Sequence, residues 1–224
     1  LSAISFEMHE ILISLTLIGL LAAITAICFM KSMIYMGTIP PKLKIKNWQA
    51  PIIAGVACGL CGMFFSEILG LGTDTLMSVI TNQQDIGYLL ALLIGKLILT
   101  SICIGFGFFG GTFSPALFLG GVLGALIFLL PFTSDNPDLL SVLAVSGMAA
   151  VASSVIGAPI TAIILVLELT GSYEYAIAAT FPIVLCSFIT SRIFGNSLFD
   201  KQLVSRGVAI TKGREQILLN DVLI

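Results

Sequence analysis

A chain of 224 residues that is 58% hydrophobic and only 10% charged cannot be an ordinary water-soluble domain, in which about a quarter of the residues are charged. It reads as an integral membrane protein. The formal net charge of −2 and the lack of basic runs with interleaved aromatics exclude nucleic-acid binding.

The first apolar run covers about residues 11–30 and is preceded by Glu7, His9 and Glu10 rather than by basic residues. That is not a signal-peptide pattern, and with Leu1 in first place the sequence is expected to be an excerpt of a longer chain. Further apolar runs lie at about 50–65, 86–104, 116–130, 139–156, 158–169 and 175–193. Only some reach the roughly 20 residues a perpendicular helix needs to cross a bilayer.

Between the first two runs stands PPKLKIKNW, with Lys42, Lys44, Lys46 and the interfacial Trp48. Clustered cations beside an apolar segment mark the cytoplasmic side. The C-terminal stretch, with Lys201, Arg206, Lys212 and Arg214, is assigned to the same side. In the second run Gly55, Gly59 and Gly62 have the small-residue spacing that lets helices approach closely. Cys58 and Cys61 share that run, but there is no second cysteine pair and only one histidine, His9. Neither a metal site, a redox role nor a cofactor is expected. Asp74 reads as a loop or helix-cap residue. Lys96, in LLIGKLILT, is an intramembrane charge, which calls for a partner or a cavity.

The stretch GFGFFGGTFSPALFLGGVLGA, residues 105–125, combines the two residue types that weaken helices. Gly110 and Gly111 permit a tight turn, and Pro115 is tolerated only in the first turn of a helix, so a helix should start near Thr112 or Phe113. A helix start presents free N–H groups and about half a positive charge, which suits an anion. The same pattern also suits a turn that merely starts a packed helix. A second short helix is expected from Ala158-Pro159 to Leu169-Thr170-Gly171. Helices of a dozen residues end inside a membrane, where loose backbone must be buried in protein or line a cavity. Glu168 lies near the C-terminus of that helix and reads as a buried structural carboxylate in preference to a proton relay. After about Arg206 the sequence turns polar and strand-like, as a linker would.

Three landmarks in order resemble the CLC family of chloride channels and chloride/proton exchangers. GGTFSPALFLGGVLGA matches the GxFxP signature at Gly111, Phe113 and Pro115. The segment GAPITAIILVLELTGSYEYAIAATFPIVLCSFIT, residues 157–190, has the family's APxT start and LVxELT end, and RGVAITKGRE looks like the lead into paired CBS domains. The resemblance implies an all-α integral membrane fold with short broken helices, here the second of two inverted repeats plus the last membrane helix. Residues 1–206 would form that half of the membrane domain and 207–224 a cytoplasmic linker, with the first half upstream. It implies chloride as bound substrate and a plasma or inner membrane location. Any nucleotide would bind only through CBS domains outside this chain.

Carried onto this sequence, the motif implies an anion site at Gly111, Thr112, Phe113, Ser114 and Pro115, with the backbone amides of Thr112 and Phe113 on the ion. The family places a tyrosine hydroxyl on the same anion, in an LY pair where this chain has Leu198-Phe199. Phe199 cannot donate that bond; it either leaves the site weaker or is a core aromatic. The resemblance also implies a homodimer through the helices at 158–169 and 175–193, with Ile160 and Ala176 on the shared face and lipid around the rest. The proton-coupling glutamates would belong to the first half. The rival readings are a cation-coupled broken-helix transporter, an intramembrane enzyme using Asp74 or Glu168 with His9, and a membrane subunit that transports nothing.

Overall fold

The computed structural model describes residues 8–46, 48–81, 84–108, 110–130, 137–195, 198, 199 and 201. The expected linker at 207–224, and Arg206, lie outside the described residues. Among the described residues the regular elements are all helical. Eight α-helices follow one another: α1 (Met8–Lys42), α2 (Gln49–Phe64), α3 (Thr73–Thr81), α4 (Ile86–Gly105), α5 (Phe113–Phe128), α6 (Pro137–Ile156), α7 (Pro159–Thr170) and α8 (Tyr173–Ile193). A 3₁₀ turn, Ser66–Ile68, stands between α2 and α3.

Length sorts these helices. Within the described residues α1, α4, α6 and α8 are long and apolar enough to cross a membrane. The 16-residue α2 and α5 and the 12-residue α7 rise only about 24 and 18 Å, short of a hydrocarbon core of about 30 Å. The expected helix at 158–169 is α7, opened by Pro159 and closed by Gly171 at φ 62. The N–H of Gly171 donates to Leu167 O at 2.9 Å, a left-handed closure that glycine adopts without a Cβ penalty.

At the centre lies α5, buried on nearly every side from Ala116 to Phe128. A helix apolar all round belongs inside a bundle. Its main partner is α6, and α1 packs along α4, α5, α6 and α8. On α1 the buried residues Leu15, Ile18, Ala22, Ala26, Phe29 and Met33 recur every three or four positions, one continuous stripe on a helix.

Pro40 and Pro41 fall inside the last turn of α1. A helix loses one intrahelical bond at each proline, and the chain recovers with Leu43 N–H on Ile39 O and Ile45 N–H on Pro40 O, both 3.0 Å. Residues 73–81, too polar to stand out as an apolar run, form α3, with Asp74 exposed in its first turn. The glycines at 55, 59 and 62 are not the close-packing set. A Cβ on Gly59 would meet nothing within 4 Å, and the nearest atoms to one on Gly62 belong to the side chain of Leu69, not to a helix backbone. The close approach is between α5 and α6: a Cβ on Gly124 would lie 2.5 Å from Ala144 Cα, and one on Gly120 would lie 2.5 Å from Gly147 C.

Candidate functional site

The loop from Gly105 to Thr112 delivers the chain into α5. Gly107 has φ 97, and Gly110 and Gly111 are exposed with nothing within 4 Å of a built Cβ. Thr112 is the N-cap residue, 8% exposed, and its side chain makes no capping hydrogen bond. The first bond of the helix runs from Ala116 N–H to Thr112 O at 3.2 Å. The amides of Phe113 and Ser114 therefore have no acceptor within the helix, and Pro115 brings no N–H at all. Thr112 Oγ1 is buried without a hydrogen-bond partner among the described residues. A buried hydroxyl left unpaired is unfavourable by about 1–3 kcal/mol. The start of α5 thus gathers uncapped amides, a buried hydroxyl and the positive end of a buried helix dipole.

Gly111, Thr112, Phe113, Ser114 and Pro115 are contiguous at this terminus, with Ser114 and Pro115 half-buried and Phe113 37% exposed. Phe199 is 45% exposed while its neighbour Leu198 is fully buried. Of the two readings for Phe199, the core aromatic is therefore corrected: Leu198 fills the core position. The two dimer-face candidates also separate. Ile160 on α7 is 72% exposed, whereas Ala176 on α8 is 6% exposed and packs in the core of this chain. The outward residue at that level of α8 is Ile177, 73% exposed.

Glu168 is exposed rather than buried. The buried residue of α7 is Val166, and two positions along a helix turn a side chain about 200° away. Lys96 is the buried charge, 2% exposed. Its ammonium donates to Ile68 O at 2.9 Å and Gly70 O at 2.7 Å. It also stands 4.8 Å from the centroid of the Phe118 ring of α5. This one side chain ties the unwound stretch between α2 and α3 to α4 and α5. An intramembrane lysine was visible in the sequence, but the carbonyls that receive it were not.

Two further features went unread. A cavity of about 570 Å³ lies between α6, α7 and α8, with Ser153, Ser154, Ser187, Thr190 and Ser191 among its lining residues. Cys103 on α4 and Cys58 on α2 line one cavity, a meeting of distant positions that no local spacing announces.

These features define a multi-pass, all-α membrane protein whose short helices begin and end inside the fold. The profile of the voltage gated chloride channel family matches residues 2–192, and the chain belongs to that family. It is similar to the H(+)/Cl(-) exchange transporter ClcA of Vibrio parahaemolyticus, 33% identical over 171 residues, covering 74% of this chain and 36% of the relative. The protein of that name from Klebsiella pneumoniae is 29% identical over 161 residues, 70% of this chain and 34% of the relative. The chain thus spans about a third of the length of these relatives. Among solved structures, a slow cyanobacterial Cl-/H+ antiporter shares the fold with a TM-score of 0.66 at 23% identity, over 91% of this chain and 47% of that one. The relatives carry transporter names.

Proposed function

We propose that this chain carries the anion-binding helix terminus of a protein that moves chloride, or a similar small anion, across a membrane as a channel or a chloride/proton exchanger. The observation that carries the reading is the start of α5: Thr112 as an N-cap with no side-chain cap, followed by two amides without an intrahelical acceptor. One helix end contributes up to roughly 2 kcal/mol to an anion in a partly buried site. That is too little to hold a dehydrated ion alone, so further donors must converge from outside this half. Partial charges of this kind hold an ion and still release it, as conduction requires.

Around that site the same reading places the second inverted repeat and the last membrane helix. The first half of the fold comes from elsewhere in the natural polypeptide. The exposed apolar residues Ile160, Ile164, Ile177, Val184 and Phe188 of α7 and α8 would form a homodimer face, and lipid would cover the outer faces of α1 and α2. Lys42, Lys44 and Lys46 would face the cytoplasm of a plasma or inner membrane, with 207–224 leading onward on that side.

The test is chloride binding by titration calorimetry on the intact natural polypeptide, comparing wild type with Pro115→Ala and Gly111→Val. Pro115→Ala adds an N–H and loosens the first turn, and Gly111→Val puts a branched side chain into the open turn. Both are expected to shift the chloride dissociation constant by at least about threefold; unchanged binding in both would refute the helix-terminus mechanism.

A further inference from the structure

Beside the start of α5 lies a cleft of about 310 Å³ between α2, α4 and the loop that follows the 3₁₀ turn. At about 30 Å³ per water it has room for roughly ten water-sized bodies. Its wall includes Lys96, Thr100, Gly70, Gly110, Gly111 and Pro115, and none of its lining residues is acidic. Lys96 is the only cationic residue on that wall.

An ammonium has three N–H donors. Lys96 places two of them on Ile68 O and Gly70 O, and the third has no hydrogen-bond acceptor among the described residues. No carboxylate pairs with it among those residues either. A buried cation is expected to find a counter-charge, and this one lines a cleft that also touches the glycine turn of the candidate anion site. The observation is independent of the α5 terminus, because it concerns a full charge on α4 and not a helix dipole.

We infer that the cleft is a second anion station, in which one monovalent, halide-sized anion takes a hydrogen bond from the third N–H of Lys96 and keeps part of its hydration. The inference deepens the reading of the α5 terminus as an anion site and rests on it for the direction of travel. Lys96 would hold the anion one step from Gly110 and Gly111, and α5 would receive it. A bare lysine would bind an anion too tightly to release it. Here two carbonyls and the face of Phe118 already share the charge, which weakens its hold on a third partner.

The decisive experiment is anomalous scattering from bromide in crystals of the intact natural polypeptide. A bromide peak within hydrogen-bond reach of Lys96 Nζ at millimolar bromide supports the station. Peaks at both Lys96 and the α5 terminus support both readings. A peak only at α5 overturns the station and leaves the proposed function intact, and a peak only at Lys96 supports the station while overturning the α5 site. A cleft free of bromide, or occupied only at molar bromide by an adventitious ion only, overturns the inference. Lys96→Met should lose the cleft peak, keep the α5 peak and raise the chloride concentration for half-maximal flux at least threefold. Lys96→Arg, which keeps charge and donors, should restore both. Should Lys96→Met fail to fold, the wild-type map and Lys96→Arg still decide the matter.

Discussion

Adding one methyl group at Gly120 tests the central packing of the molecule. A Cβ there would lie 2.5 Å from Gly147 C and 2.6 Å from Met148 Cα, whereas carbon atoms settle at about 3.5–4.0 Å. The overlap is about 1 Å, and the atoms it strikes are backbone, which cannot swing away as a side-chain tip can. So α5 and α6 must separate or shift. Overpacking of this kind is unfavourable by about 1–3 kcal/mol, and a gap of 0.5–1 Å along the rest of the interface forfeits about a quarter to a half of each dispersion contact. Alanine recovers about 1 kcal/mol of helix propensity over glycine. The net expectation for Gly120→Ala is a loss of about 2 kcal/mol, read by reversible unfolding in mixed micelles. Gly59→Ala is the matched control, since a Cβ there meets nothing within 4 Å, and it should be neutral or slightly stabilising. Equal stabilities for the two variants would refute the claim that glycine at 120 is required by the approach of α6.

Gly171 closes α7 at φ 62, so Gly171→Ala should destabilise by about 1–2 kcal/mol, the penalty of a left-handed L-residue. Gly70 lies at φ 59 and its carbonyl accepts from Lys96; Gly70→Ala should carry a similar penalty in the same unfolding assay, and no loss at either position would mean the turn relaxes to another conformation. Under the proposed function, Phe199→Tyr would add a hydroxyl at the position assigned to the anion site. A hydrogen bond to a charged acceptor contributes about 1.5–3 kcal/mol, so chloride affinity by calorimetry should rise at least tenfold. No change would mean that residue 199 does not face the anion.

Local chemistry made much of this legible in the sequence. The apolar runs became α1, α2, α4, α5, α6, α7 and α8, because burying apolar surface and satisfying the backbone in one segment leaves few alternatives in a bilayer. Thr112-Phe113 was placed at a helix start by Pro115, and Gly171 at a helix end by its freedom at positive φ, both properties of single residues and their neighbours. Composition alone set the chain in a membrane. The sequence could not say which glycines touch another helix. Gly55, Gly59 and Gly62 have the same spacing logic as Gly120 and Gly124, yet only the latter pair meets α6, because contact depends on which face of each helix points at a partner. For the same reason Glu168 proved exposed and Ala176 buried: a shift of one or two positions rotates a side chain by about 100–200°, and only the neighbours in space determine which side is inside. The carbonyls that receive Lys96 lie 26 and 28 residues away in the chain. Burying that charge became possible only when α4 was laid against the unwound backbone between α2 and α3, an arrangement fixed by the tertiary fold and by nothing local to Lys96.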